Sequence, residues 1–92
     1  MQTVHVRIAG RVQGVGYRAW TAEHAALANL NGWVRNCSDG TVEAMLQGSP
    51  QTIETFLKKC NAGPRFAKVF SINVENVESP EIFPNFIHKK TI

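Results

Sequence analysis

Apolar and polar residues alternate near the start of the chain. Over residues 3–8, valine and isoleucine take the even positions, and threonine, histidine and arginine take the odd ones. A two-residue period of this kind predicts a β-strand with one buried face. Glycines between residues 10 and 16 interrupt the pattern, and Tyr17 to Leu30 is then rich in alanine and other helix formers. This second segment predicts a helix that buries Trp20, Leu27 and Leu30 on one side.

The middle of the chain predicts a β-hairpin. Asn31 and Gly32 end the first helix, and two strand-like segments follow at Trp33 to Cys37 and Thr41 to Leu46. The Asp39-Gly40 dipeptide between these segments is a strong signal for a tight turn.

The second half of the chain predicts another helix and further strands. Ser49 offers a helix cap, and Pro50 suits the first helical position. Apolar side chains then recur at the i, i+3, i+4, i+7 spacing of one buried helix face, at Ile53, Phe56, Leu57 and Cys60. Gly63 and Pro64 end this helix, a strand-like run follows at Ala67 to Val77, and Phe86 to His88 leaves room for a short last strand.

The order β-α-β-β-α-β predicts an α+β fold of the ferredoxin-like kind. Two helices would cover one face of a mainly antiparallel sheet, with a short fifth strand after residue 85. We expect residues 1–92 to form a single domain. A strand, a returning helix and a second strand place the C-terminal ends of both strands on the same edge of the sheet. The glycine-rich segment and Asn36 can therefore face one pocket.

Composition excludes several classes of protein. The chain has 92 residues, of which 43% are hydrophobic, and a net charge of +3. This mild basic excess favours an anionic partner but is too small to imply nucleic acid. No apolar run approaches the ~20 residues of a membrane span, so we expect a cytoplasmic protein without a membrane partner.

Other chemistry-bearing residues favour structural interpretations. Cys37 and Cys60 lack metal-ligand or disulfide-scaffold spacing, so we expect reduced, partly buried thiols. The histidines at positions 5, 24 and 88 are scattered, and no metal site or cofactor is expected. We expect Glu23 and Glu43 to be solvated. The large aromatic residues are expected to fill the core, namely Trp20, Trp33, Phe56 and Phe70.

The segment from Gly10 to Arg18 is suited to hold an anion. It contains three glycines and two arginines in nine residues, between the first predicted strand and the first helix. Glycines let successive backbone N–H groups turn inward, a helix start adds unpaired donors, and a guanidinium matches two phosphate oxygens. The overlapping segment from Gly14 to Ala19 also fits the dinucleotide-binding fingerprint G-x-G-x-x-A. That fit is weak because Asp39, the acidic residue at the expected distance, lies in a hairpin.

Four ordered motifs make this sequence similar to the acylphosphatases. They are G-R-V-Q-G-V-G-Y-R ending at Arg18, G-W-V-R-N ending at Asn36, D-G-T-V-E ending at Glu43, and G-P-R-F-A-K-V ending at Val69. The resemblance spans nearly the whole chain. Tyr17 stands where many members have phenylalanine, and the tail from residue 79 onward follows no obvious family pattern.

The resemblance implies metal-independent hydrolysis of small-molecule acyl phosphates to a carboxylate and inorganic phosphate, which is a product and expected inhibitor. By position, Arg18 would bind the phosphate and Asn36 would position the attacking water. The backbone cradle would comprise Gln13, Gly14, Val15, Gly16 and Tyr17. We expect a monomer that needs no cofactor.

Two other functions compete with this prediction. The same fold could hold phosphate or carbamoyl-like groups for a partner without turnover, although a mere binder has no use for the water-orienting amide of Asn36. An RNA-binding module of the RRM type shares the order of elements. It is disfavoured because the predicted strand Thr41 to Leu46 has no stacking aromatic residue.

Overall fold

A computed structural model of the chain describes residues 1–78 and 81–92. The described residues form five strands and two helices: β1 (Gln2–Arg11), α1 (Tyr17–Leu27), β2 (Asn31–Asn36), β3 (Val42–Gly48), α2 (Pro50–Cys60), β4 (Lys68–Asn76) and β5 (Phe86–His88). The helices have 11 residues each. Neither of them is long and apolar enough to cross a membrane.

The strands form one mixed sheet in the order β4-β1-β3-β2-β5. β3 lies between β1 and β2 and runs antiparallel to both, so β1 and β2 run in the same direction. Ile8 and Asn36 both pair with Val42, which places the ends of β1 and β2 at one edge of the sheet. The short β5 pairs in parallel with β2. The predicted α+β, ferredoxin-like fold and its short fifth strand are confirmed.

The core lies between the helices and one face of the sheet. Val4, Val6 and Ile8 alternate along β1 and are almost fully buried, as the two-residue period predicts. α2 begins as the sequence predicts, because the Ser49 hydroxyl accepts a hydrogen bond from the Thr52 N–H at 3.2 Å. Three of its four predicted core residues are buried and the fourth is half-buried; they are Ile53, Phe56, Cys60 and Leu57.

The end of α1 differs from the prediction. The helix stops at Leu27, whose side chain is 74% exposed, so its predicted burial is wrong. Asn29 has a φ of 62°, and the Leu30 N–H donates to the Ala25 carbonyl at 2.9 Å. A left-handed residue after a helix reverses the chain in this way. Leu30 is buried as predicted, but it reaches the core from beyond the helix.

The predicted burial of Phe70 is also wrong, since its side chain is 79% exposed. Ala9 pairs with Ser71 and Gly10 with Val69, so Phe70 is an extra residue in a bulge of the edge strand β4. Trp33 and Phe56 are buried and Trp20 is half-buried, in agreement with the prediction. A single-strand pattern cannot reveal such a bulge, because it depends on the pairing with β1.

Candidate active site

A cavity of about 220 Å³ opens where β1 and β2 end. Arg18 and Asn36 both line it, together with the glycine-rich loop that joins β1 to α1. Of the five predicted cradle residues, Gln13, Gly14, Gly16 and Tyr17 line the cavity, whereas Val15 packs against the hydrophobic core. The structure thus brings both predicted side chains and most of the predicted loop together. The other residues that line the cavity are Val12, Ala19 and His88.

The loop conformation depends on its glycines. Gly14 and Gly16 have φ angles of 74° and 81°, a region that L side chains rarely adopt. Gly16 is also the N-cap of α1, and it provides no capping side chain. The first N–H groups of a helix have no acceptor within the helix, and they carry its positive dipole end. This junction is therefore suited to bind an anion through the backbone.

Side chains hold the loop in place. The Gln13 amide donates hydrogen bonds to the carbonyls of Cys37 and Thr41, at 2.7 and 2.9 Å. These bonds tie the loop to the hairpin that follows Asn36. Sequence reasoning assigned Gln13 to the backbone cradle and missed this role of its side chain. The bonds cross from the loop to the hairpin, so the spacing of residues in the sequence gives no signal for them.

Tyr17 joins the loop to α2. Its hydroxyl donates to the Cys60 carbonyl at 2.5 Å, and its side chain is almost fully buried. Burial, followed by the neighbouring Cys60, raises the pKa of the Tyr17 hydroxyl. Burial also raises the pKa of the Cys60 thiol to about 12, so the thiol stays protonated at neutral pH. Cys37 and Cys60 are both free and buried.

The two predicted catalytic side chains have few partners within the protein. Arg18 Nη1 donates to the Lys89 carbonyl at 3.2 Å and to the Thr91 hydroxyl at 3.4 Å. Both acceptors are neutral, and no carboxylate in residues 1–78 or 81–92 forms an ion pair with Arg18. The Asn36 Oδ1 atom is buried without a hydrogen-bond partner in the described part of the chain. Buried polar atoms are normally hydrogen-bonded, so this acceptor is available to a bound molecule.

His88 is a lining residue that sequence reasoning missed. β5 places it beside Val34 of β2, on the face of the sheet that Asn36 also occupies. Partial desolvation of the otherwise exposed ring, followed by the charge of Arg18, lowers the pKa of the His88 imidazole. The only sign in the sequence that His88 could line the cavity was the predicted strand at residues 86–88. Its parallel pairing with β2 was required to bring this histidine to the cavity.

A second polar cluster lies on the face of the sheet away from the helices. Glu43 is buried there, so its predicted solvation is wrong. Its Oε1 lies 2.6 Å from Arg35 Nε, and its Oε2 lies 2.6 Å from His5 Nε2 and 3.3 Å from Arg7 Nη2. We call these four residues the Glu43 cluster. The alternation of β1, β2 and β3 places all four side chains on one face, which is a signal that sequence reasoning could have used.

The pKa of Glu43 reflects two opposing influences. Burial alone would raise the pKa of this carboxyl group. Hydrogen bonds from His5 and Arg35, with their charges, outweigh burial and hold the pKa below its usual value. Glu43 is therefore an ionised, fully partnered carboxylate at neutral pH.

A larger cavity, of about 580 Å³, lies between α2 and the strands β1 and β4. Its charged lining residues are Glu54 and Lys58, which pair with each other at 3.8 Å. Its other lining is apolar or neutral, with residues such as Leu57 and Ile72. This cavity lacks an unpaired cation, so its size does not make it the better candidate for anion chemistry.

Known proteins resemble this chain over its whole length. The acylphosphatase family model matches residues 4–88. An acylphosphatase of Alcanivorax borkumensis is 46% identical over 88 residues, or 96% of each chain. One of Rhodospirillum rubrum is 46% identical over 92 residues and 100% of each chain. The crystal structure of acylphosphatase from Bacillus subtilis has a TM-score of 0.90 and 33% identity, covering 100% of this chain and 99% of that one.

The fold and the cavity define an α+β domain with a glycine-rich loop, suited to bind an anion, between a strand and a helix. The matches over residues 4–88 and over the full length of the relatives make the identification more specific. The chain belongs to the acylphosphatase family. The resemblance seen in the sequence motifs is therefore confirmed, as is the prediction of an enzyme of that family.

Proposed function

We propose that this chain hydrolyses small-molecule acyl phosphates to a carboxylate and inorganic phosphate without a metal ion. Arg18 and the backbone N–H groups of residues 13–17 bind the phosphoryl group, and Asn36 positions the attacking water. The observation that supports this proposal most strongly is that Arg18, Asn36 and the glycine-rich loop line one cavity.

The surroundings of Arg18 favour binding of an anion. Arg18 is the second residue of α1, where the positive end of the helix dipole makes a cation unfavourable unless negative charge is nearby. Lys89 and Thr91 offer it only neutral oxygens. A phosphoryl group would supply the missing negative charge, and its oxygens match the planar guanidinium fork.

The side chain of Asn36 suits water positioning rather than proton transfer. An amide does not take up a proton at neutral pH, so Asn36 cannot act as a general base. Its buried Oδ1 can accept a hydrogen bond from a water molecule in the cavity. Orienting the attacking oxygen in this way is a large part of what phosphoryl transfer requires.

The chemistry needs few other groups. The leaving carboxylate has a conjugate acid with a pKa of roughly 4, so no general acid is needed for its departure. The negative charge of the transition state lies mainly on the phosphoryl oxygens, where Arg18 and the loop amides stabilise it. The phosphate product carries the same oxygens, so we expect it to compete with the substrate.

We further propose that the protein acts as a cytoplasmic monomer. Its two free, buried cysteines suit a reducing compartment. Every residue assigned to the reaction lies in one chain, so the proposed site needs no partner subunit.

The test is hydrolysis of acetyl phosphate after the protein and buffers have been treated with EDTA. We expect the wild type to remain active and Asn36→Ala to lose about a hundredfold in kcat through misplacement of the water. Inhibition by phosphate should stay near the wild-type value in that variant, because Arg18 and the loop are intact.

Arg11→Ala is a matched control for the loss of a side chain near the loop. Arg11 is exposed, ends β1 and does not line the cavity, so we expect this variant to keep wild-type activity. Phosphate binding without hydrolysis by the wild type would instead favour a domain that only binds anions. Activity restored only by added metal would contradict the metal-independent mechanism.

A further inference from the structure

His88 lines the candidate cavity without a role in the reaction described above. Its imidazole makes no hydrogen bond or ion pair with residues 1–78 or 81–92, and it is exposed to solvent. It shares the cavity with Arg18, Asn36 and the loop glycines. An exposed, titratable ring that lines this cavity is therefore placed to contact an anion bound beside Arg18.

Within residues 1–78 and 81–92, one charged group faces His88 from the elements packed around it. That group is Arg18, which comes from α1. Tyr17 is the other titratable lining residue, but its hydroxyl points to the Cys60 carbonyl. The neighbouring positions of β2 carry the neutral residues Val34 and Asn36. A cation alone favours the neutral imidazole, whereas a bound dianion would favour the imidazolium.

We propose that His88 is a further phosphoryl-binding residue, which takes up a proton from solvent when an anion binds beside Arg18 and releases it when the anion leaves. This inference rests on the proposed function, because it requires the anion to bind in the cavity. The protonated ring would donate a charge-assisted hydrogen bond to an oxygen that Arg18 and the loop leave free.

Linkage makes the inference measurable. If anion binding raises the pKa of His88, then protonation of His88 must strengthen anion binding by the same factor. A rise of about one unit in the pKa of His88 means that the protein with protonated His88 binds the anion about tenfold more tightly than the protein with neutral His88. The ligand-free protein has a depressed His88 pKa, so this gain should emerge as the pH falls through the range of histidine titration.

The experiment uses sulfate as the probe, because sulfate remains a dianion throughout this pH range, whereas phosphate itself titrates near neutrality. Imidazole NMR signals of the full chain are followed against pH with and without saturating sulfate, at ionic strength matched with chloride. We expect sulfate to raise the pKa of His88 by about one unit. His5 and His24 do not line the cavity, and their imidazole signals serve as internal controls for effects of sulfate outside the site.

Two variants distinguish the effect of the charge at position 88 from the effect of losing the imidazole ring. In His88→Gln, sulfate affinity should lose the part of its pH dependence that the wild type shows. In His88→Lys, which is charged at all of these pH values, affinity should be high and nearly independent of pH. Lys90→Gln is the control for a change in net charge, since Lys90 is exposed and does not line the cavity. It should retain the wild-type pH dependence.

Failure of this inference can be told apart from failure of the proposed function. If the wild type hydrolyses acetyl phosphate and sulfate competes with it, but the His88 pKa does not move, the inference is overturned and the proposed function stands. The inference is likewise overturned if His88→Gln retains the full pH dependence of sulfate affinity. If sulfate does not bind and acetyl phosphate is not hydrolysed, both are overturned.

Discussion

Two polar clusters of this molecule contain arginine, and they differ in whether its charge is neutralised. In the Glu43 cluster, one buried carboxylate contacts Arg7, Arg35 and His5. In the candidate active site, Arg18 has only neutral acceptors, and Asn36 Oδ1 has no partner in the described residues. The first cluster is complete within the protein, whereas the second leaves a cation without a negative partner and an acceptor without a donor among the described residues.

This difference separates a structural role from a functional one. Breaking a mutually satisfied buried charge cluster by removing one partner destabilises the fold, and such a cluster leaves nothing for a ligand to bind. Unsatisfied donors and acceptors in a cavity reduce stability, but they are what a substrate and an attacking water require. Arginine substitutions in the two clusters should therefore affect different measurements.

The largest effect is expected for Arg18→Gln. Loss of the guanidinium should lower kcat/KM for acetyl phosphate by roughly a hundredfold to a thousandfold. The free energy of unfolding should change little, because Arg18 has no charged partner among the described residues. Steady-state kinetics and urea unfolding of the same preparation measure both quantities.

Arg35→Gln is the matched control in the other cluster. It should reduce stability while keeping kcat near the wild-type value, since Arg35 does not line the cavity. If Arg18→Gln and Arg35→Gln instead alter activity and stability in the same proportion, the distinction between the two clusters is wrong.

The next largest effect is expected for Glu43→Gln. This change leaves the cationic partners at positions 7 and 35 without their buried carboxylate, and we expect it to lower the free energy of unfolding by about 2 to 3 kcal/mol. The value lies below the range of about 3 to 5 kcal/mol for a fully buried pair, because Arg7 is 38% exposed at its side chain. Urea unfolding at pH 7 measures the loss. A stability equal to that of the wild type would show that the cluster contributes little.

The stability difference between wild type and Glu43→Gln should also depend on pH. The pKa of Glu43 is lower in the folded protein than its ordinary value of 4.5. A depressed carboxyl pKa gives stability that is present above the ordinary value and is lost as the pH falls through the folded value. We therefore expect the difference in unfolding free energy to shrink below about pH 4.5.

Urea unfolding of both proteins between pH 7 and pH 3 tests this expectation. Asp39 also has a lowered pKa, through its bonds to Thr41, but it is present in both proteins and its contribution cancels. A difference that stays constant over the whole range would mean that Glu43 is not the titrating group.

The smallest effect is expected for Tyr17→Phe. The change removes the hydrogen bond to the Cys60 carbonyl, and it should lower the free energy of unfolding by about 1 kcal/mol. Activity should stay close to that of the wild type, because the hydroxyl points away from the reacting groups. Thermal unfolding and acetyl phosphate turnover are the measurements. A large fall in kcat with unchanged stability would assign Tyr17 a part in the chemistry.

Local pattern and the order of elements predicted most of the fold, and they predicted that Arg18 and Asn36 face one cavity. The alternation over residues 3–8 and the spacing of Ile53 and Phe56 report which face of an element is buried, and both were correct. The order of elements placed the ends of β1 and β2 together, which is why Arg18 and Asn36 were expected in one pocket. These features depend on local periodicity and on chain connectivity, which a single sequence contains.

The features that sequence reasoning missed depend on contacts between distant segments. His88 reaches the cavity only because β5 pairs with β2, and the Gln13 side chain acts only on the neighbouring hairpin. Glu43 was expected in solvent, but it is buried against three partners that come from the neighbouring strands β1 and β2. Phe70 is exposed through a bulge that appears only in the pairing of β4 with β1.

The central claim is that the loop and Arg18 bind one anion beside the Asn36 side chain. A titration of the ¹⁵N-labelled protein with inorganic phosphate would test it through the amide signals. We predict that the largest changes fall on the backbone amides of residues 13–18 and on the side-chain amide of Asn36, and that Arg18→Gln suppresses them. Changes centred on the cavity between α2 and β4, or no change at any amide, would contradict this claim.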